Sequence, residues 1–427
     1  MREVQNSPKD WRTILALGAC ALGILYFLIQ ALGLSVLWMI SLINNQGDLT
    51  QTISTGLLIW SSILSALCLT PAFLLSFYQL RGQGMPPWLD TNRPAIRKMV
   101  MWVILVWPVV VFMGWLIAGR PSLAVYLLGP INVLVAGLPV LWIYNAAQSK
   151  LEGGPQGRKW RIFGFSLTIM PVLVILLELL ALLVLGSIGG LWLAYRFSVD
   201  PQLEQQIMEI VNRLMTMGDD LEAIVMYLEP YILQPTVIFW ALAIIGGVMP
   251  IIEEIVKPLA LWSLAGRKIS LQEGFVGGLL CGAGFALIEN VLYFTTALLA
   301  EDWLFMAVGR AGTGVLHMLA SGLVGWGLAS AWRDRKWVFL GLTTLGAFIL
   351  HGLWNALSLI FGVLPLFILG SEPSLAQTIL FNLPIIGLLL LSVLGIIMIN
   401  RHFRNQNRQL AARQEGLSIH AGNSLAE

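Results

Sequence analysis

Residues 250–262 read Pro-Ile-Ile-Glu-Glu-Ile-Val-Lys-Pro-Leu-Ala-Leu-Trp. Glu253, Glu254 and Lys257 are the only ionisable side chains between Pro235 and Ala265. The segment is long enough to cross a bilayer, which takes about 20 apolar residues. A charged side chain at the centre of such a helix costs about 2.5–3.5 kcal/mol on insertion scales. Three in one turn must therefore face one another, other polar groups or a wet cavity.

The rest of the chain has the same character. Of its 427 residues 57% are apolar and 11% charged, against about 25% charged in soluble domains. The fold class is all-α, a polytopic membrane helix bundle. Ten apolar segments have spanning length: 13–43, 52–79, 99–118, 122–144, 163–195, 235–264, 274–300, 305–331, 337–361 and 376–400. The first runs too long for a signal-peptide core and reads as a retained transmembrane helix. Lys and Arg fall on alternate connections: Arg2, Lys9 and Arg12; Arg81, Arg93, Arg97 and Lys98; Lys150, Arg158, Lys159 and Arg161; Arg267 and Lys268; Arg333, Arg335 and Lys336; then Arg401, Arg404, Arg408 and Arg413. By the positive-inside rule this predicts ten spans with both termini cytoplasmic. A multi-pass protein of the bacterial cytoplasmic membrane is expected.

Four regions follow. Residues 1–196 form a five-helix transmembrane region. Residues 197–234 are extracytoplasmic: Leu203, Ile207, Ile210, Val211 and Leu214 repeat at helical spacing, and Gly218-Asp219-Asp220 separates a second short helix. This predicts an amphipathic hairpin on the outer membrane surface, either a substrate guide or an ordered linker. Residues 235–400 form a five-helix catalytic membrane domain. Residues 401–427 are a basic, polar cytoplasmic tail, expected to be partly disordered. Cys20, Cys68 and Cys281 lie in apolar stretches without metal-ligand spacing and read as small core residues. No basic run interleaved with aromatics suggests nucleic-acid binding.

The polar residues of the spans concentrate after residue 235. Glu253, Glu254 and Lys257 are followed by Glu289 beside Asn290, then Arg310 and His317, then His351. Glu253 and Lys257 are four apart, as are Phe285 and Glu289, His317 and Ser321, and His351 and Asn355, so each pair shares a helix face. Pro258 cannot donate to the carbonyl of Glu254, which predicts a break there. Gly274, Gly278 and Gly282 form a small-xxx-small ridge that lets a neighbouring helix approach. Arg310 reads as snorkelling to the outer interface, with a grip on a substrate end as the alternative.

These residue types suit hydrolysis. A desolvated glutamate can act as general base on water. A histidine can orient that water, and Asn355 offers an amide donor to an oxyanion. Glu253 or Glu254 is the candidate base; Glu289, His317 and His351 complete the candidate catalytic set, with Lys257, Asn290 and Ser321 supporting it. Each also has a plainer reading as an ion pair or a helix-bridging group. Two histidines and a carboxylate (His317, His351 and Glu289) could instead bind Zn²⁺ with one open position, although a helical His-Glu-x-x-His signature is absent.

The motifs Glu253-Glu254-x-x-Lys257, Phe285-x-x-x-Glu289-Asn290, His317 with Ser321, and His351-x-x-x-Asn355 resemble those of the PrsW family of intramembrane proteases. That family is distantly similar to the CAAX prenyl endopeptidases, from whose pattern Glu289 departs by standing where a histidine is usual. The resemblance covers roughly residues 235–360. It implies a membrane-embedded endopeptidase acting on membrane-anchored proteins, in some members anti-sigma factors. Such families have been described both as metalloproteases and as glutamic proteases; the excess of carboxylates over imidazoles favours glutamate catalysis without a cofactor.

Other classes fit less well. A proton-coupled secondary transporter also places carboxylates and histidines at the midplane, but the polar cluster lies in one half with no repeat linking the halves. A helix-packing scaffold gives no reason for so many ionisable groups. A rhomboid-like serine site would need a glycine where Leu319 stands, and an aspartyl protease needs aspartates that the last five spans lack.

Overall fold

The computed structural model describes residues 11–44, 49–90, 94–218, 220–296, 300–368 and 374–423. Arg2, Lys9, Arg93 and Asp219 lie outside the described residues, as does the side chain of Arg413. Among the described residues every regular element is helical, and nine helices are long and apolar enough to cross a membrane. In chain order the helices are α1 (Trp11–Asn44), α2 (Leu49–Leu80), α3 (Pro94–Val103), α4 (Trp107–Ala118), α5 (Pro121–Ala147), α6 (Gln156–Val199), α7 (Pro201–Met217) and α8 (Leu221–Ile232). They continue with α9 (Pro235–Ala243), α10 (Met249–Val256), α11 (Leu259–Trp262), α12 (Leu271–Tyr293), α13 (Ala300–Asp334), α14 (Trp337–Leu357), α15 (Leu364–Ile368) and α16 (Leu375–Asn423).

The expected third span is the exception. α3 and α4 are bent by 43° across a short break, so the total is ten only if this pair counts as one span. Pro108 in the first turn of α4 has no N–H to continue α3, which explains the break. Trp107 secures the bend by donating from Nε1 to the Val135 carbonyl at 3.0 Å. α6 is longer than expected: it ends only at Val199, where Asp200 caps α7 by accepting from Leu203 N. The tail, expected to be partly disordered, continues α16 as helix to Asn423. Its Gln, Arg, Leu and Ala residues are good helix formers that extend an existing helix without new nucleation.

The chain forms two compact units. The first comprises Met1–Pro171, Lys257–Ala347 and Leu389–Glu427. Its centre is α12, whose most apolar window is 89% buried by protein, against 11% for α1. α1 thus turns most of its surface to lipid, whereas α12 is sheathed by other helices. A capping box starts α12: Ser270 Oγ accepts from Glu273 N, and Glu273 accepts from Ser270 N at 2.8 Å. Glu273 also pairs with Arg158 of α6 at 2.9 Å, fixing where α12 begins. Trp303 of α13 is fully buried and donates to Asn132 of α5 at 2.7 Å; a side chain at Gly114 of α4 would collide with its ring. Asn400 of α16 donates to the Ala147 and Ser149 carbonyls at the end of α5.

The second unit comprises Val172–Val256 and Phe348–Leu388. Two π-helical segments interrupt its spans, Ile244–Val248 between α9 and α10 and Ser358–Val363 after α14. Such segments are rare and recur at functional sites. α7 ends at Gly218, which has φ +61°, and Asp220 caps α8 by accepting from Ala223 N.

Candidate active site

In the second unit the adjacent glutamates meet His351. Glu253 and Glu254 lie on α10, which ends at Val256 just before Pro258, where the sequence predicts a break. A close backbone crossing places this helix: a Cβ on Gly352 would strike the Gly246 carbonyl, and one on Gly246 would lie 3.3 Å from the Gly352 carbonyl. The first contact requires glycine; the second is tight. Asn355, one turn beyond His351, donates to the Ile245 carbonyl at 3.0 Å. It thereby satisfies a backbone group of the π segment, where the regular hydrogen-bond ladder is interrupted. His351 thus faces α10 with Nδ1 3.0 Å from Glu254 Oε1 and Nε2 3.8 Å from Glu253 Oε2. All three side chains are buried. Each ring nitrogen of His351 thus faces a carboxylate, and an ionised carboxylate only accepts, so a nitrogen facing one is satisfied by carrying a proton.

The first unit holds a different set. Lys257 follows α10 directly and is fully buried. Its Nζ lies 2.8 Å from His317 Nδ1 and 4.3 Å from the centroid of the Phe285 ring. His317 Nε2 lies 2.8 Å from Glu289 Oε2, and Phe285 packs edge-on against the imidazole. Arg310 grips the same Glu289 oxygen through Nη2 and donates from Nε to Asn290 Oδ1 at 2.8 Å; Asn290 Nδ2 returns a bond to the Arg310 carbonyl. The Arg310 guanidinium also sits 4.2 Å from the centroid of Tyr293.

Arg310 therefore points into this network, with its side chain only 13% exposed, instead of snorkelling to the interface. Pairing with the half-buried Glu289 carboxylate outweighs the reach to water, because Glu289 would otherwise face one imidazole alone. Sequence reasoning underrated Arg310. The signal was present: Arg310 and His317 are seven apart, hence on one face of α13.

The glycine ridge positions His317. A Cβ on Gly282 would collide with the His317 carbonyl, and one on Gly278 with the Ser321 carbonyl. α12 and α13 thus touch backbone to backbone, which sets Glu289 opposite His317. Ser321 is fully buried at this seam. Gly246 and Gly352 do the corresponding work in the second unit and were not singled out from sequence.

Glu253, Glu254 and His351 could hold a metal ion, since each offers a ligand atom and these lie within 4.8 Å of one another. Two carboxylate oxygens and an imidazole nitrogen suit Zn²⁺ or a similar divalent ion with an open position. His317 and Glu289 are engaged with each other and with Lys257 and Arg310.

Residues 215–389 match the family model described as PrsW family intramembrane metalloprotease. The match includes every residue of both clusters. No curated protein and no solved structure matches the chain.

Proposed function

We propose that this chain, whose residues 215–389 match the model of the PrsW family of intramembrane proteases, hydrolyses a peptide bond of membrane-anchored proteins with a water activated by Glu253. The multi-pass helical architecture and the family match support the general activity, a membrane peptidase. The assignment of steps is our reading of the side chains. The observation that carries it is the Glu254–His351–Glu253 arrangement, in which one imidazole stands between two buried carboxylates.

In this reading Glu254 accepts from His351 Nδ1 and fixes the ring, as outer carboxylates do for working histidines. Glu253, on the Nε2 side, takes the proton of the attacking water. His351 Nε2 orients that water by accepting its second hydrogen. The proton held by Glu253 then passes to the leaving amine. In the first unit Lys257 and Arg310 supply positive charge beside Glu289 and His317, and burial strengthens such interactions. Asn355 keeps the π segment and the His351 helix together. A divalent metal, if bound, would be held by His351, Glu253 and Glu254 and would supply Lewis-acid activation of the water.

The substrate is proposed to be a single-span protein such as an anti-sigma factor, entering from the bilayer, with the α7–α8 hairpin on the outer surface as its guide. The alternation of basic connections supports a reading with both termini in the cytoplasm of a bacterial cell.

The test is cleavage of a tagged single-span reporter in membranes containing wild type or Glu253→Gln. Loss of cleavage at unchanged abundance supports the reading; full activity of Glu253→Gln overturns it.

A further inference from the structure

We infer that the outward face of α16 around Arg401, Arg404 and Arg408 binds an anionic phospholipid. The arginines hold the lipid phosphate, and the acyl chains lie along the apolar side chains that precede them on the same face. This surface is apart from both polar clusters, and its role does not depend on the proposed reaction.

Within the first unit, α16 has two faces. Ser392, Ile396, Asn400 and Phe403 are buried and recur every three or four residues. Asn407 continues the row: it accepts from Gln272 Nε2 at 2.5 Å and donates back to Gln272 Oε1 at 3.3 Å. The ring centroid of Phe403 lies 5.8 Å from that of Phe275 in α12 and 5.2 Å from that of Trp326 in α13. This face fastens the helix to the protein. The opposite face runs through Leu394, Met398, Arg401, Asn405 and Arg408, again three or four apart, and all five are exposed. Arg404 flanks that row and is half-buried.

The change of character along the exposed row sets its depth. Up to Met398 the row is apolar and suits the hydrocarbon around a membrane span. The helix continues without a break to Asn423. At about 1.5 Å per residue, Arg401 stands about 3 Å and Arg404 about 7–8 Å beyond Ile399, where the apolar run ends. The headgroup layer on each side of a bilayer is about 5–8 Å deep. Both arginines therefore leave the helix at the level of lipid phosphates. Arg408, about 13–14 Å beyond Ile399, lies past that layer and acts through screened water.

Charge then selects the lipid. No Asp or Glu occurs between Asn400 and Gln414. Among the described residues no ion pair engages Arg401, Arg404 or Arg408. A guanidinium meets a phosphate through two parallel hydrogen bonds, and basic residues just outside a span attract anionic headgroups. A soluble acidic partner could reach Arg408, but it would have to displace headgroups to reach Arg401. A phospholipid is already at that depth.

The experiment places a photoreactive amino acid at position 398 of the full-length protein, reconstituted in nanodiscs of phosphatidylcholine mixed with phosphatidylglycerol. A second protein carries it at position 380, exposed near the other end of α16, where residues 362–375 contain no Lys or Arg. Light links the residue to whatever touches it, and mass spectrometry of the digested peptide identifies the adduct. We expect phosphatidylglycerol adducts at 398 to exceed the bulk lipid ratio about fivefold, the preference that one arginine near such a surface confers. Adducts at 380 should follow the bulk ratio. Arg401→Gln combined with Arg404→Gln should return position 398 to the bulk ratio, whereas Arg408→Gln should keep at least half of the enrichment. Equal ratios at 398 and 380 overturn the inference, as does enrichment that survives the double substitution. A peptide linked at 398 in place of lipid also overturns it, because another protein surface would then cover this face. If the doubly substituted chain fails to assemble, the ratios at 398 and 380 with all arginines present decide. None of these measurements uses proteolysis, so they stand whether or not Glu253→Gln cleaves.

Discussion

Glu254 and His351, 97 residues apart in sequence, meet at 3.0 Å with both side chains buried. The neighbouring Glu253 lies on the other side of the same ring, at 3.8 Å from Nε2. Adjacent residues on one helix thus reach the two opposite nitrogens of one imidazole. The division predicts unequal costs. Glu253→Gln removes the proposed base, a group worth about 10²–10⁴ in rate. Glu254→Gln removes the group that orients the ring, worth about 10–100-fold by analogy with carboxylates behind metal-bound histidines. Initial rates of reporter cleavage, corrected for enzyme abundance, should rank wild type above Glu254→Gln above Glu253→Gln. The reverse ranking would exchange the two roles.

The backbone crossing of Gly246 and Gly352 offers a sharper structural test. A Cβ at Gly352 would meet the Gly246 carbonyl, whereas one at Gly247 would meet nothing within 4 Å. Gly352→Val should separate α14 from the π segment, loosen the Glu254–His351 contact and abolish cleavage. Gly247→Ala should leave cleavage within about twofold, since substitutions away from such contacts usually stay within about 0.5 kcal/mol. The same reporter assay reads both, with abundance measured alongside.

In the first unit, Gly282→Leu would drive a side chain into the His317 carbonyl. Overpacking of this kind costs about 1–3 kcal/mol. Its thermal midpoint in detergent should fall by several degrees, while Gly341→Ala, with open space at its Cβ, should match wild type. Equal midpoints would show that the α12–α13 approach is not strained by added bulk.

These predictions also mark how far the sequence could be read. The charged triplet in an apolar run was enough to place Glu253, Glu254 and Lys257 in the protein interior, because isolated charge in lipid is costly whatever the neighbours are. The ridge at Gly274, Gly278 and Gly282 was legible because its period matches the helix. Glu254 facing one nitrogen of His351 and Glu253 the other was not legible: hydropathy fixes position along a span but not rotation about its axis. Gly246 and Gly352 were hidden for a related reason, since a single glycine has no period and its meaning depends on a partner about a hundred residues away. The break before Pro108 was masked by the unbroken apolarity of the segment around it.

The metal question has a direct measurement. The donor set at Glu253, Glu254 and His351 is able to take a divalent ion, yet our reading assigns water activation to Glu253 itself. Protein purified, dialysed against chelator and assayed on the reporter should retain its rate, and elemental analysis should find far less than one metal per chain. Activity lost to chelator and restored by Zn²⁺, with one ion bound in wild type and none in His351→Ala, would assign the reaction to the metal.

The α7–α8 hairpin yields a prediction about lipid. Leu203, Ile207, Ile210 and Leu214 of α7 are half-buried, yet Val211 and Met215 beside them are exposed, Met215 by 77%. Glu209 and Arg213, on the opposite arc, are exposed as well. Protein packing alone therefore leaves Met215 and Glu209 equally open to a water-borne reagent. Membrane spans enter and leave the hairpin at Val199 and Pro235, which holds it near a bilayer surface, and an apolar arc there sinks into the headgroup boundary. Single cysteines at 215 and 209 separate the possibilities. In vesicles a membrane-impermeant maleimide should label the Glu209→Cys protein at least tenfold faster than the Met215→Cys protein. The difference should vanish when the bilayer is dissolved and the chain denatured. Equal rates in vesicles would place the hairpin in water, clear of the membrane, and remove it as a surface along which a substrate is guided.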